Sequence, residues 1–146
     1  MSIDEQTRDL TRWLGDGGMP LLGHLGVSFE GFDATRVWGH WTPSELCCNP
    51  RGAVQAGVYT VVLDAAMSLA ILATLPKGEF AVSLDVHTST IRPALRGDEL
   101  RVVGRVIKRG RAAVFAEASA INISGEEIAE CRGAYVVQRR RPAESD

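Results

Sequence analysis

Residues 53–75 read AVQAGVYTVVLDAAMSLAILATL, an apolar run interrupted near its middle by one carboxylate, Asp64. As a helix rising 1.5 Å per residue it would reach about 33 Å, enough to cross a bilayer. Asp64 argues against that. A carboxylate at the centre of a lipid span costs about 2.5–3.5 kcal/mol on insertion scales, and Gln55 and Ser68 add polar groups nearby. In a soluble protein a helix that is apolar on all sides is a core helix, so the run predicts one long helix over 53–75 enclosed by other elements.

Working outward toward the N-terminus, residues 43–52 hold Pro50, which biases Asn49 away from helix, and Gly52, which permits a turn, so an irregular loop is expected there. Before it, residues 25–32 and 35–41 read as two strands around the turn-prone Asp33-Ala34, rich in aromatic and β-branched residues. Residues 5–14 carry Leu10, Trp13 and Leu14 at helical spacing and are stopped by Gly15-Asp16-Gly17-Gly18, which predicts a short N-terminal helix and turn within residues 1–19.

Toward the C-terminus the period changes from helix to strand. Val82, Leu84 and Val86 alternate with Ser83, Asp85 and His87, placing the two sets on opposite faces of a strand over 80–92. Residues 99–108, 112–123 and 127–137 continue as strands, joined by Arg109-Gly110 and Ser124-Gly125, which suit antiparallel hairpins. A polar tail follows over 139–146. The pattern is α+β: an antiparallel sheet wrapped around one long central helix in a single domain, with Trp38 and Trp41 expected to fill the core.

Bulk properties narrow the function. A chain of 146 residues suits one domain, and 45% hydrophobic with 23% charged residues fits a globular protein rather than a disordered one. A net charge of -2 gives no electrostatic case for nucleic acid. The three cysteines and three histidines show no zinc spacing, so neither a metal nor a disulfide framework is expected. No signal-peptide pattern opens the chain, which makes the cytoplasm the expected compartment.

Asp64 carries the chemical question. A carboxylate in an apolar interior is costly, so it is either satisfied structurally, by backbone amides or a neighbouring subunit's cation, or kept in a cleft for nucleophilic or general-base work. Ser68, four residues on, shares its helix face in either case. His87 is expected at the surface or a subunit interface, and His24 and His40 have no partner spacing.

The segment Asn49-Pro50-Arg51-Gly52-Ala53-Val54-Gln55-Ala56-Gly57, followed by Leu63-Asp64-Ala65-Ala66-Met67-Ser68, resembles the central motif of hotdog thioesterases of the phenylacetate-degradation and 4-hydroxybenzoyl-CoA type. That motif runs Asn-Pro-x-Gly-x-x-His-Gly-Gly into a helix with Leu-x-Asp and a small residue four on. The likeness extends over residues 20–138, through Ser83-Leu84-Asp85-Val86-His87, Arg92-Pro93-Ala94, Gly97-Asp98, Lys108-Arg109-Gly110-Arg111 and Gly125-Glu126-Glu127-Ile128-Ala129. This chain departs from the motif in carrying Gln55 for His and Ala56 for Gly.

The resemblance implies a hotdog fold and hydrolysis of an acyl- or aroyl-CoA thioester, with coenzyme A as part of the substrate and no other cofactor. It implies Asp64 as nucleophile or general base, the Ala56 N–H at the helix start as the carbonyl-polarising donor, and Gln55 and Gly57 beside it. Asn49 would position the catalytic water or carboxylate, Ser83 would do so from the strand, and Ser68 would lie beside Asp64 in the catalytic set. Arg109, Arg111 and the run Arg139 to Arg141 are either solvated charge or phosphate contacts to coenzyme A, guanidinium forks being suited to phosphate, and on the second reading Arg92, Arg109, Gly110 and Arg111 form the coenzyme A contact. It also implies a homodimer or dimer of dimers paired through the strand after the helix, with each site built across the interface. A non-catalytic acyl-CoA-binding module on the same fold is the alternative. A hotdog dehydratase would need a catalytic His where Gln55 stands.

Overall fold

The computed structural model describes residues 8–140. Six strands form one sheet: β1 Val27–Phe32, β2 Arg36–Trp41, β3 Glu79–Thr90, β4 Leu100–Arg109, β5 Ala113–Asn122 and β6 Glu127–Arg139. Two helices accompany them, α1 Pro20–Leu25 and α2 Ala56–Leu72. The sheet order is β1-β2-β4-β5-β6-β3 and every neighbouring pair is antiparallel. Helix α2 is the crossover that carries the chain from β2, near one edge, to β3, the opposite edge. No helix among the described residues is long and apolar enough to cross a membrane.

The expected long helix is present but starts and ends three residues inside the predicted bounds. Residues 53–55 are drawn into extended pairing instead: Val54 N–H donates to Ala94 O at 2.9 Å and Gln55 N–H to Cys47 O at 2.8 Å. Nor is the helix enclosed on all sides. Tyr59, Leu63, Ala66, Met67 and Ala70 are buried against the sheet, while Val61, Asp64, Ala65 and Ser68 form a half-buried stripe at i, i+3, i+4, i+7 on another face.

What lets α2 lie flat on the sheet is the lack of side chain beneath it. A Cβ at Gly104 in β4 would collide with the carbonyl of Ala66, and the helix-facing positions of β5 are Ala116, Ala118 and Ala120, all buried. The large side chains fill the flanks. Trp41 is fully buried, donates its indole N–H to Leu25 O at 3.0 Å and meets the Tyr59 ring edge-on at 5.6 Å. Trp38 is only half-buried, covered by the Arg36 guanidinium 5.8 Å from its ring centroid, so of the two tryptophans one is a core residue.

The N-terminal helix expected over residues 5–14 does not form where the chain is described. Residues 8–14 hold a single 3-10 turn, Thr11–Trp13, because the Asp9 carboxylate accepts from the Thr11 N–H at 2.8 Å and competes with helical pairing. Residues 5–7 and the tail from 141 onward lie outside the described residues. The helical turn appears later, at α1, with Pro20 at its first position and Gly26 closing it in the left-handed region at φ 97°.

The strand after α2 also differs from strict alternation. Ser83 pairs with Tyr135 but Asp85 pairs with Ala134, so Leu84 is a bulge. Directly opposed residues share a face. Ser83 therefore lies with Tyr135 on the α2 side of the sheet, while Asp85 and His87 lie on the outer face, joined to each other at 2.9 Å. The expected grouping of Ser83 with Asp85 and His87 is thus broken by one extra residue.

The close seat at Gly104 makes a stability prediction. Gly104→Ala should force α2 outward and lower unfolding free energy by about 1–3 kcal/mol, the usual cost of overpacking, as read by urea denaturation. An unchanged denaturation midpoint would show that the helix does not depend on this contact.

Candidate active site

Asp64 is half-buried and faces a recess of about 370 Å³ whose wall includes Gly17, Met19, Leu22, Val61, Ser68 and Leu69. The recess is roofed by the N-terminal segment, held to β1 by the reciprocal pair Gly15 N–H to Phe29 O at 2.9 Å and Phe29 N–H to Gly15 O at 2.6 Å. Its lining is apolar apart from Asp64 and Ser68. Such surroundings suit an acyl or aryl group held against a carboxylate.

One hydrogen bond reaches Asp64 among the described residues: the Tyr135 phenol donates to Oδ1 at 2.7 Å. Tyr135 is fully buried on the α2 side of β6. Burial first, and then the adjoining carboxylate, push its phenol far above the ordinary tyrosine value, with Ser68 acting on the same oxygen in the opposite sense. The phenol therefore remains a proton donor at any working pH. Among the described residues no backbone amide reaches Asp64, and its one donor is neutral and sits on one oxygen.

A second recess, of about 440 Å³, opens at the start of α2 and is lined by Asn49, Gln55, Ala56, Tyr59, Arg92 and Pro93 among others. Gln55, Ala56 and Gly57 are all exposed there, and no side chain caps the helix, the Gln55 amide included. The first N–H groups of a helix have no intrahelical acceptor and carry its positive partial charge, so this end is suited to an oxyanion. Ala in place of Gly at 56 keeps the N–H.

Asn49 has a role in the fold as well. Its Oδ1 accepts from Arg51 N–H at 2.9 Å and Ala53 N–H at 3.3 Å, pinning the turn that leads into α2. Only its Nδ2 donor is left for a ligand. Arg92 is anchored by Nη1 to Glu127 O at 2.7 Å and by Nε to Glu126 at 3.2 Å. Arg109, Gly110 and Arg111 form the β4–β5 turn and line neither recess, Arg109 Nη1 donating to Gly110 O at 3.3 Å. Ser83 lies exposed on the edge strand.

The structure thus gathers Asn49, Gln55, Ala56 and Arg92 at one recess and Asp64 and Ser68 at another, and leaves Ser83, Arg109, Gly110 and Arg111 at neither. Ala56 and Asp64 are eight residues apart on one helix, about 12 Å along its axis, too far to hold the same carbonyl. Neither a thiol nor an imidazole replaces them. Burial pushes the Cys47 and Cys131 thiols up, away from the thiolate form. Cys131 instead meets Thr88 at 3.3 Å, which in turn meets Thr60 of α2 at 2.7 Å, tying β3 to the helix. His87 is exposed on the outer face.

Tyr135 was not singled out in the sequence. Its signal is weak but physical: a buried tyrosine needs a partner for its hydroxyl, and the glycine two residues before it on the same strand face frees room for a tilted ring.

An antiparallel sheet packed on one long helix is the hotdog architecture. A thioesterase from Haemophilus influenzae shares it with a TM-score of 0.84 at 18% identity, over 99% of this chain and 100% of that one. The sequence model of the Thioesterase superfamily matches residues 52–129, and this chain belongs to that family. It is 37% identical over 75 residues to 1,4-dihydroxy-2-naphthoyl-CoA thioesterase 2 of Arabidopsis thaliana, 51% of this chain and 46% of that protein. Mouse acyl-coenzyme A thioesterase 13 is 27% identical over 100 residues, 62% of this chain and 71% of that protein. The chain therefore spans about half the length of the Arabidopsis relative.

The two demands on Asn49 separate in a single variant. Asn49→Asp keeps the oxygen that holds the turn and loses the Nδ2 donor, so the melting temperature should stay near that of the parent while turnover of a thioester falls about tenfold, the scale of one hydrogen bond to a reacting group. Equal turnover in both proteins would confine Asn49 to the fold.

Proposed function

We propose that this chain is a cytoplasmic homo-oligomeric thioesterase that hydrolyses an acyl- or aroyl-CoA thioester with Asp64 as its reactive carboxylate. The observation that carries the reading is the Asp64 carboxylate, half-buried at an apolar recess with a single neutral donor on Oδ1. The coenzyme A in the names of the Arabidopsis and mouse relatives supports the substrate class.

The separation of Asp64 from the helix start supports a site shared between two chains. Each thioester carbonyl needs a carboxylate and an oxyanion donor together, and one chain holds them about 12 Å apart. A two-fold partner resolves this if the start of its α2 meets the first chain's Asp64. The strand that would pair is β3, an edge of 12 residues with Val82 and Leu84 exposed at 42% and 65%. A long exposed apolar edge calls for a cover. Pairing through β3 would also bring Ser83 of each chain to the seam, and pairs of such dimers would give the dimer of dimers.

In the composite site the partner's Ala56 N–H polarises the carbonyl. Asp64 then either attacks it, expelling the CoA thiolate and leaving an acyl-aspartyl anhydride that water cleaves, or takes a proton from the water that attacks. Arg92 presents positive charge at the helix-start recess to the phosphates of coenzyme A, whereas Arg109, Gly110 and Arg111, at the opposite end of the sheet, take no part in this contact.

Asp64→Asn keeps the size and a carbonyl acceptor for Tyr135 and removes the charge. It should abolish thiol release from acyl-CoA, a loss of at least about 10³-fold, with melting and acyl-CoA binding little changed. A variant that melts early and turns over normally would take Asp64 out of the mechanism.

The shared site has its own test. Ala56→Pro removes the N–H at a first helical position where proline is tolerated, and Gln55 already has the extended backbone, φ -63° and ψ 136°, that a following proline requires. Ala56→Pro and Asp64→Asn should each be inactive. Co-expressed, half the dimers are mixed and each mixed dimer has one intact site, so about one quarter of parental activity should return. No recovery in demonstrably mixed dimers would mean that each chain completes its own site.

A further inference from the structure

We infer that Tyr135 is a positioning residue for hydrolysis, holding Asp64 by its Oδ1 so that Oδ2 is the oxygen presented to the thioester, and that Gly133 exists to let the phenol reach it. The inference rests on the proposed role of Asp64.

Three observations converge on it. The phenol O–H donates to Oδ1 at 2.7 Å, and no other hydrogen bond to Asp64 is made among the described residues. The phenol is fully buried, so it contacts no substrate and acts only through the carboxylate. Its ring leans back along β6 over Gly133: a Cβ there would lie 2.7 Å from Tyr135 Cε2 and 3.2 Å from its hydroxyl oxygen. Side chains two apart on a strand share a face and ordinarily stand side by side. Only an absent side chain at 133 permits this tilt.

The arrangement has a mechanistic consequence. A carboxylate on a helix can rotate about its side-chain bonds and offer either oxygen, whereas a fixed donor on Oδ1 settles which one faces the recess. Misplacing a reacting group by about 1 Å costs on the order of 10²-fold in rate. Ser83, directly opposite Tyr135 in the β3–β6 ladder, lies on the same side of the sheet and brings the bulged strand to this spot.

Tyr135→Phe keeps the ring and deletes the donor. It should lower kcat about tenfold to a hundredfold with KM for acyl-CoA unchanged, because nothing that touches substrate is altered. Gly133→Ala, by pushing the phenol aside, should lower kcat similarly, and in the Tyr135→Phe background it should lower kcat no further. A purely structural pair would show the opposite: additive losses in melting temperature and parental kcat in each folded variant. Asp64→Asn run alongside separates the layers. If it is inactive while Tyr135→Phe turns over like the parent, the positioning role is wrong and the carboxylate reading stands. If Asp64→Asn is itself fully active, both fall. Should Gly133→Ala not fold, the kcat and KM of Tyr135→Phe decide the matter alone.

Discussion

The contact on which this structure depends is the seat of α2 on the sheet, backbone against backbone where Ala66 passes over Gly104. The helix can approach that closely only because β5 offers alanines at 116, 118 and 120 and β4 offers no side chain at 104. Interiors pack near crystal density, so a gap of one methyl under the helix would have to be taken up along its length. The close seat puts Asp64 within reach of a phenol rooted in β6. A helix standing higher would leave the carboxylate without its donor.

From that seat follows the division of the site. Because α2 runs across the sheet as a straight crossover, its uncapped start and its central carboxylate open into different recesses. In the proposed dimer a single chain would carry two halves of different sites, and the same helix would serve two reaction centres at once. The exposed edge of β3 and the bulge at Leu84 belong to this logic. The bulge turns Ser83 toward the helix side while sending Asp85 and His87 outward, so one strand would face a partner, the carboxylate region and the outer surface within five residues.

What could be read in the sequence is what periodicity and turn chemistry govern. The alternation in residues 99–137 and the glycines of its hairpins give three consecutive antiparallel strands, and the long apolar run gives the helix. Less legible were features decided by competition between neighbours. Asp9 captures the Thr11 amide and prevents the expected N-terminal helix. Val54 and Gln55 exchange helical for extended pairing because Ala94 and Cys47 offer carbonyls from distant loops. A bulge leaves no mark on a run such as Ser83-Leu84-Asp85 that would distinguish it from regular alternation. The partner of Asp64 lay 71 residues away in a strand read only as strand, and a contact of that range leaves no local pattern.

The two departures from the family motif are better understood with the helix start in view. Ala56 is exposed and its Cβ meets the ordinary geometry of a first helical turn, so replacing Gly there leaves the N–H in place and changes only the bulk beside it. Gln55 precedes it in extended conformation, and its amide makes no capping bond that would tie it down. Histidine at that position would exchange acceptor for donor as it titrates near neutrality, whereas an amide has both at every pH. In the proposed site the substitution would therefore remove a pH-sensitive element from the oxyanion end while keeping a donor of similar reach. In the proposed mechanism proton transfer would be left to the other end, where Asp64 is held by a phenol that does not itself titrate in the working range.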